Sequence, residues 1–340
     1  MHIIYHLVGA AGALALLAGV ASAQTVADWD KLVAGAKSEG AVTLYTGLVG
    51  NQTSKQIAEG FRAKYGIRVD VLEVRATELR ERIRTERVSN RVLADVMNTS
   101  GLQTREISGG DGSIEKFGAL PGLSAITPAI QAGWEERDIH APIFNLRYGL
   151  LVNEALAAVR PKTYADLLDP KWKGRILADE FRAAGGGQSF FAVTYAKFGR
   201  EYHEKLVAQN ITFTRDQRAA ERRVATGEFA IYLPFLLNYL PALKGLPVAG
   251  VVLEEGVTFT PYSASMIKGA PHPNAARLLI DYMLSREGQG FYAAEGLGSV
   301  IDGVDDKLPE ALRGLSQKLL GTRTLDPEDR MTKLATELYK

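Results

Sequence analysis

Cysteine is absent from all 340 residues, which excludes disulfides, thiolate nucleophiles and thiolate metal sites. Histidine is scarce at five, and His140, His203 and His272 lie too far apart in sequence to read as a metal-binding cluster. An excess of either charge is also missing. The 40 basic and 39 acidic residues leave a net charge of +1, which gives no electrostatic basis for binding nucleic acid or an acidic membrane surface. No internal repeat or low-complexity tract is present. What remains is an ordinary soluble composition, 46% hydrophobic and 23% charged, on a chain long enough for two lobes.

One apolar stretch stands out, Leu7 to Ala23. It is shorter than the ~20 residues of a spanning helix and closes on Ala21-Ser22-Ala23, a small-x-small cleavage pattern. The expectation is a signal peptide over residues 1–23, with histidines where the n-region ordinarily has Lys or Arg. No cysteine follows to carry a lipid anchor, so the exported chain would be free and soluble, most simply in a periplasm.

Hydrophobic periodicity predicts an alternating opening. Residues 28–39 read as a helix and Ala41 to Gly47 as a strand. "NQTSKQIAEGFRAKYG" is amphipathic, "IRVDVLEV" alternates, "ATELRERIRTERVSN" is a charged helix and "LADVMNTS" a buried strand. Such an order predicts an α/β fold with a parallel sheet. A second α/β unit follows: strand "FNLRYGLLVNEAL", strand "KWKGRILADEF", the Gly-rich turn and helix "AAGGGQSFFAVTYAKFG", then "ERRVATGEFAIYLPF". Tyr262 to Lys268 read as a strand, Gly269 to Pro273 as a turn, and Asn274 to Ser285 as a helix stopping near Gly288. "DDKLPEALRGLSQKLL" and "DPEDRMTKLATELYK" read as terminal helices.

Several of these pieces, "AKSEGAVTLYTG", "ADVMNTSG", "DPKWKGRI", "ATGEFAIYL" and above all "YSASMIKGAPHPNAARLLIDYMLSREGQ", occur in an order that resembles type II solute-binding proteins of ABC importers, in the branch of the bacterial ferric-iron-binding proteins. The resemblance spans nearly the whole mature chain. It implies a two-lobed type II periplasmic binding fold with two β-strand hinge crossings, lobe 1 from 24–143 plus 255–300 and lobe 2 from 144–254 plus 301–340. It further implies a monomer that captures a small solute between the lobes and passes it to ABC permease subunits, with no catalysis, cofactor or nucleic acid.

Candidate contacts follow from strand ends and helix starts, where N–H groups lack partners. Tyr45, Thr46 and Gly47 end the first strand, a cleft loop in the family or a plain surface loop. Arg75 follows the second strand, able to grip a carboxylate or to join the solvated arginines of the next helix. Thr99 and Ser100 either meet a ligand or cap a helix. Gly185, Gly186 and Gly187 let backbone approach a ligand or simply form a flexible turn; the iron-binding branch holds an anion at the matching turn. Arg147 is a further anion candidate. Tyr148, Tyr232, Tyr239 and Tyr262 are either core aromatics or cleft-edge groups.

The chain departs from iron-binding relatives. Where they carry adjacent tyrosines after "GEFAIYL", it reads "PFLLNYL", leaving Tyr239 as the one metal candidate. Hard Fe³⁺ wants several charged oxygens, so the reading is a small organic anion (carboxylate, phosphonate or sugar phosphate), with ferric iron plus a synergistic anion as the alternative. A serine hydrolase is the least favoured. Ser265 to Lys268 and Ser113 to Lys116 show Ser-x-x-Lys spacing, but Ser265 falls in a predicted strand and no Lys-Thr-Gly partner exists.

Overall fold

The computed structural model describes residues 28–101, 112–131, 138–183, 185–324 and 329–340. The expected signal peptide and the Asp326-Pro327 helix start lie outside them.

The chain folds as mixed α/β around one long sheet whose strands lie in the order Arg68–Glu73, Ala41–Thr46, Val96–Ser100, Val257–Ile267, Ala141–Asn153, Ile231–Leu236, Ile176–Asp179 and Thr212–Thr214. In the first half, helix α1 (28–39) precedes β1 (Ala41–Thr46), α2 (Thr53–Tyr65), β2 (Arg68–Glu73), α3 (Ala76–Val88) and β3 (Val96–Ser100). β1 lies parallel to both β2 and β3, as the βαβ order requires. β4 (Ile114–Glu115) and a single turn α4 (Pro128–Gln131) lead to β5 (Ala141–Asn153). The second half contains β6 (Ile176–Asp179), α5 (Gly186–Val207), β7 (Thr212–Thr214), α6 (Gln217–Ala225), β8 (Ile231–Leu236) and β9 (Val248–Val251). There too the central strands are parallel, β6 with β7 and with β8.

Two long strands join the halves. β5 has 13 residues and β10 (Val257–Ile267) has 11, and they pair antiparallel from Thr258↔Tyr148 to Ala264↔Ala141. The core changes along them. Phe144 and Leu146 of β5 and Tyr262 of β10 pack with Val42, Leu44 and Ile57 of the first half. Leu150 packs with Trp172, Ile176 and Phe190 of the second, and Val257 with Tyr232 and Phe235.

The late segment is built as two helices, α7 (Pro273–Leu284) and α8 (Arg286–Ala294). The expected stop at Gly288 is therefore corrected. Ser285 caps a second helix by accepting from the Gly288 N–H at 3.2 Å. Gly288 is glycine because a Cβ would sit 2.4 Å from the Tyr282 carbonyl oxygen. Gln289 beside it is fully buried. Its Nε2 donates to the Ile143 and Met283 carbonyls, both at 2.8 Å, and its Oε1 accepts from Ser299 Oγ and Val300 N–H. The Glu-Gly-Gln signature thus ties α8 to β5 and to β11 (Gly298–Ser299). Glu39 of α1 caps α7, accepting from the N–H groups of Asn274 and Ala275.

The helix expected over residues 305–320 is not formed. The segment makes 3-10 turns at Asp305–Lys307 and Glu310–Leu312, then β12 (Leu319–Gly321). Pro309 and Gly314, the latter at φ 82°, divide it into pieces too short for a helix. The final helix α9 (Arg330–Leu338) packs its Ala335 and the following Tyr339 into the second core.

Candidate functional site

Strand termini of the two halves face the crossing strands, and side-chain alternation decides what each strand contributes. Tyr148, Thr260 and Tyr262 share one face of β5 and β10; Arg147, Asn145 and Phe259 take the other. On the first face, Tyr148 Oη lies 3.3 Å from Thr260 Oγ1. Phe144 is buried and sandwiched between Tyr262 (ring centroids 4.6 Å apart) and Tyr292 of α8 (4.9 Å). This stack fixes the Tyr262 ring, which is only partly buried.

The Gly-rich turn meets this face. A Cβ on Gly186 would come within 3.0 Å of Tyr148 Cε1. Gly185 takes φ 152°, and a Cβ on Gly187 would strike the Glu180 carbonyl oxygen at 2.5 Å, so neither position tolerates a side chain. Asp179, at the end of β6, accepts from Gly187 N–H at 2.9 Å and from Glu180 N–H at 3.0 Å. A carboxylate therefore already occupies part of the positive end of α5. Burial pushes the Asp179 carboxyl up, against these two backbone donors and the positive charge of Arg215.

Burial pushes the Tyr262 hydroxyl up to about 12, and Tyr148 and Tyr239 act on it in the same direction. Tyr148 is raised by its burial too, with Asp179 and Tyr239 contributing. Three phenols and one carboxyl thus lie within electrostatic reach. Arg218, exposed in the first turn of α6, sits 4.9 Å over the Tyr239 ring. Arg215, also exposed, precedes that helix. Arg218 also pairs with Glu221 at 3.6 Å, and exposed cations beside phenols suit an oxyanion attached to a less polar body.

The other sequence candidates take varied places. Thr46 is buried; its Oγ1 donates to Asn98 Oδ1 and accepts from Leu48 N–H, while Gly47 N–H donates to the Asn98 carbonyl at 2.8 Å. Thr99 and Ser100 pair with Ser263 and Tyr262 of β10, which puts that strand end beside the Tyr262 face. Arg75 is exposed at the start of α3. Tyr45 does not present its ring to a ligand. It is 3% exposed within the α3 core, and its hydroxyl donates to Glu86 at 2.6 Å and accepts from Arg82. Tyr232 is likewise core, 1% exposed beneath α6, with burial holding its hydroxyl well above the usual phenol range. Arg147 lies on the opposite face of β5 from Tyr148. The strand period places it there, and the sequence reading had not assigned faces.

Asp179, Arg215, Arg218 and Thr260 were not singled out from sequence. The end of "GRILAD" after a buried strand was the available signal for Asp179. Ser265 is fully buried in β10, with its Oγ 3.1 Å from His140 Nδ1, while Lys268 is exposed at the strand end. The Ser-x-x-Lys spacing there brings no nucleophile and base together. Among the described residues no His, Asp and Glu cluster could hold a metal, and no helix is long and apolar enough to cross a membrane.

Comparisons with known proteins agree with this architecture. Residues 132–313 match the model of a family described as bacterial extracellular solute-binding protein, and the chain belongs to that family. A putative 2-aminoethylphosphonate-binding periplasmic protein of Salmonella paratyphi A is 25% identical over 175 residues, covering 48% of this chain and 52% of its own length. The chain spans about two fifths to one half of the length of the curated relatives it matches. Among solved structures, Mannheimia haemolytica ferric iron-binding protein A in an open conformation aligns with TM-score 0.70 and 18% identity, over 88% of this chain and 97% of that one. The periplasmic binding protein AfuA of Actinobacillus pleuropneumoniae, with fructose-6-phosphate bound, aligns with TM-score 0.59 and 22% identity, over 88% and 96%. At these identities the structures establish the fold, a two-lobed periplasmic binding architecture.

Proposed function

We propose that the chain is the solute-capturing component of an ABC importer and takes a small organic anion, a phosphonate, sugar phosphate or carboxylate, between its lobes. The observation that carries this reading is the convergence at Tyr148: the ring lies under Gly186 of the α5 turn and its hydroxyl reaches Thr260 of the return strand. Contact across that point joins both crossing strands to the helix start of the second lobe. The anion would meet the Gly185–Gly186 backbone, Tyr262 and the Arg218 side chain, with Arg75, Gly47, Thr99 and Ser100 closing from the first lobe. Gly187 contributes by shape alone, its N–H being held by Asp179. The lobes are assigned to 24–143 plus 255–300 and 144–254 plus 301–340, and the site of action to the periplasm after removal of residues 1–23.

The relative named for 2-aminoethylphosphonate and the neighbour holding fructose-6-phosphate support this chemical class. Calorimetric titration with 2-aminoethylphosphonate, fructose 6-phosphate and citrate tests it. Saturable binding that weakens roughly tenfold or more in Arg218→Ala supports the site. Binding unaffected by both Arg218→Ala and Gly186→Val removes it.

A ferric cargo with a synergistic anion is the second reading, favoured by one finding absent from the sequence: Tyr148, Tyr239 and Tyr262 influence one another. Burial raises the pKa of Tyr148 and of Tyr262, and phenols so shifted resist ionisation, which weighs against tyrosinate ligation. A visible tyrosinate-iron band on adding Fe³⁺ with citrate would promote this reading; we expect none.

A further inference from the structure

The anion position proposed above has a carboxylate for a neighbour. Asp179 Oδ2 lies 3.3 Å from where a Cβ on Gly186 would stand, and 3.8 Å from that of Gly185. An oxyanion on the Gly185–Gly186 backbone would therefore meet the Asp179 side chain as well. Each Asp179 oxygen accepts one backbone N–H, Oδ1 from Glu180 and Oδ2 from Gly187, which leaves each a further lone pair to accept with. The residue is 8% exposed, so it is shielded but not sealed. The groups around it do not cancel its charge. Glu180 is taken up by Arg182, whose Nε and Nη2 donate to its two oxygens at 2.6 and 2.8 Å. Arg215, exposed, attracts Asp179 through charge alone. Tyr148 of β5 and Tyr232 of β8 face it as neutral phenols, both raised by burial and further by the Asp179 charge. Burial raises the Asp179 carboxyl itself, while its two backbone donors favour the ionised form.

A fully ionised oxyanion at this point meets a like charge at close range, and in a shielded site that repulsion is strong. An oxyanion that keeps one O–H turns the same carboxylate into an acceptor, through a short charge-assisted O–H···O⁻ bond. Phosphorus oxyanions keep such a hydrogen close to neutral pH, the second pKa of a phosphate monoester being about 6. Carboxylates have lost theirs by then, and sulfonates long before. We propose that Asp179 is a specificity-determining residue of the cleft: it accepts the remaining proton of a phosphonate or phosphate monoanion, and so disfavours sulfonates, carboxylates and dianions. The inference rests on the anion-capture reading above and narrows its three chemical classes to the protonated phosphorus oxyanions. Under it the carboxylate at the start of α5 is a filter, admitting only an anion that brings its own hydrogen.

The test sets 2-aminoethylphosphonate against taurine, the sulfonate with the same carbon chain and ammonium group. Each is titrated calorimetrically at matched ionic strength, from about pH 6 to about pH 9, into the full mature chain and into Asp179→Asn. Wild type is expected to prefer the phosphonate about tenfold or more at the acid end, and to lose about tenfold in phosphonate affinity for each pH unit above the second pKa of the ligand. In Asp179→Asn both the preference and the slope should shrink, because the amide can turn an N–H toward a fully ionised oxyanion. A merely structural role would weaken both ligands alike and leave the slope. Taurine matching the phosphonate, or a phosphonate affinity flat with pH, would overturn the selection while leaving anion capture standing; so would binding of citrate alone. A preference and slope unchanged in folded Asp179→Asn would also overturn it. If fructose 6-phosphate is the ligand that binds, its pH slope is read in the same way. Silence from all of these anions would remove the capture reading and this inference together. Should Asp179→Asn not fold, a wild-type crystal saturated with the bound phosphorus oxyanion decides: one of its oxygens at about 2.5–2.7 Å from an Asp179 oxygen supports the proposal, and no such contact ends it.

Discussion

Gly187 shows how tightly a single position can be specified. A methyl group there would meet the backbone of Asp179 and Glu180 at 2.5–2.7 Å. Gly187→Ala should destabilise the protein by about 1–3 kcal/mol and weaken solute binding by displacing the whole turn; chemical denaturation and titration measure the two effects. His203 is a second such residue. It is fully buried against Tyr339 Oη (2.7 Å) and Thr194 Oγ1, and burial lowers its pKa to about 4. The folded form keeps the ring neutral while the unfolded chain protonates near 6.5, so the unfolded state binds more protons and stability falls as pH drops between these values. A loss of about 3 kcal/mol is expected across that window. In urea titrations His203→Gln should start lower at pH 7 and show a shallower acid limb; an unchanged limb would contradict the assignment. These two glycine and histidine environments illustrate different legibility. Three consecutive glycines before a helix are visible in the sequence, whereas nothing in "REYHEKLV" announces a buried imidazole.

Among the elements, α8 carries more of the architecture than its nine residues suggest. Gln289 bonds both its amide groups to backbone or Ser299, and Tyr292 backs the Phe144–Tyr262 stack. Gln289→Ala would remove four hydrogen bonds, three of them to backbone groups, and a loss of about 2–4 kcal/mol is expected from equilibrium unfolding. A loss below about 1 kcal/mol would mean that water replaces the amide readily. The strand-helix alternation of the first 100 residues was legible because periods of 2 and 3.6 differ plainly there. The 305–320 segment was misread as helix because its leucines mimic helical spacing, while Pro309 and Gly314 decide the outcome. The faces of Tyr45, Tyr232 and Arg147 were not legible for a common reason. Alternation fixes which residues share a face, but which face meets solvent depends on the helices packed against each side.

At the scale of the whole molecule, β5 and β10 are, among the described residues, the only strands whose side chains enter both groups of cores described above. With α8, whose Tyr292 and Ala293 also reach both, they are where a swing of one half against the other would act. The family membership and the two-lobed fold were readable from the order of short motifs, because that order reflects a chain that crosses to a second lobe and returns. The solute was not readable, since Asp179 and Arg215 come together at the Gly-rich turn, and Arg218 at Tyr239, only through the β6-β7-α6 connection. Binding at about 100 times the dissociation constant should add about 2.7 kcal/mol to stability.

The most direct measurement is a crystal structure of the chain with 2-aminoethylphosphonate, soaked or co-crystallised at saturation. The account predicts the phosphonate against the Gly185–Gly186 backbone, on the Tyr148–Tyr262 face and within reach of Arg218. A phosphonate bound elsewhere, or a saturated crystal whose Tyr148–Tyr262 face holds no anion, would contradict it.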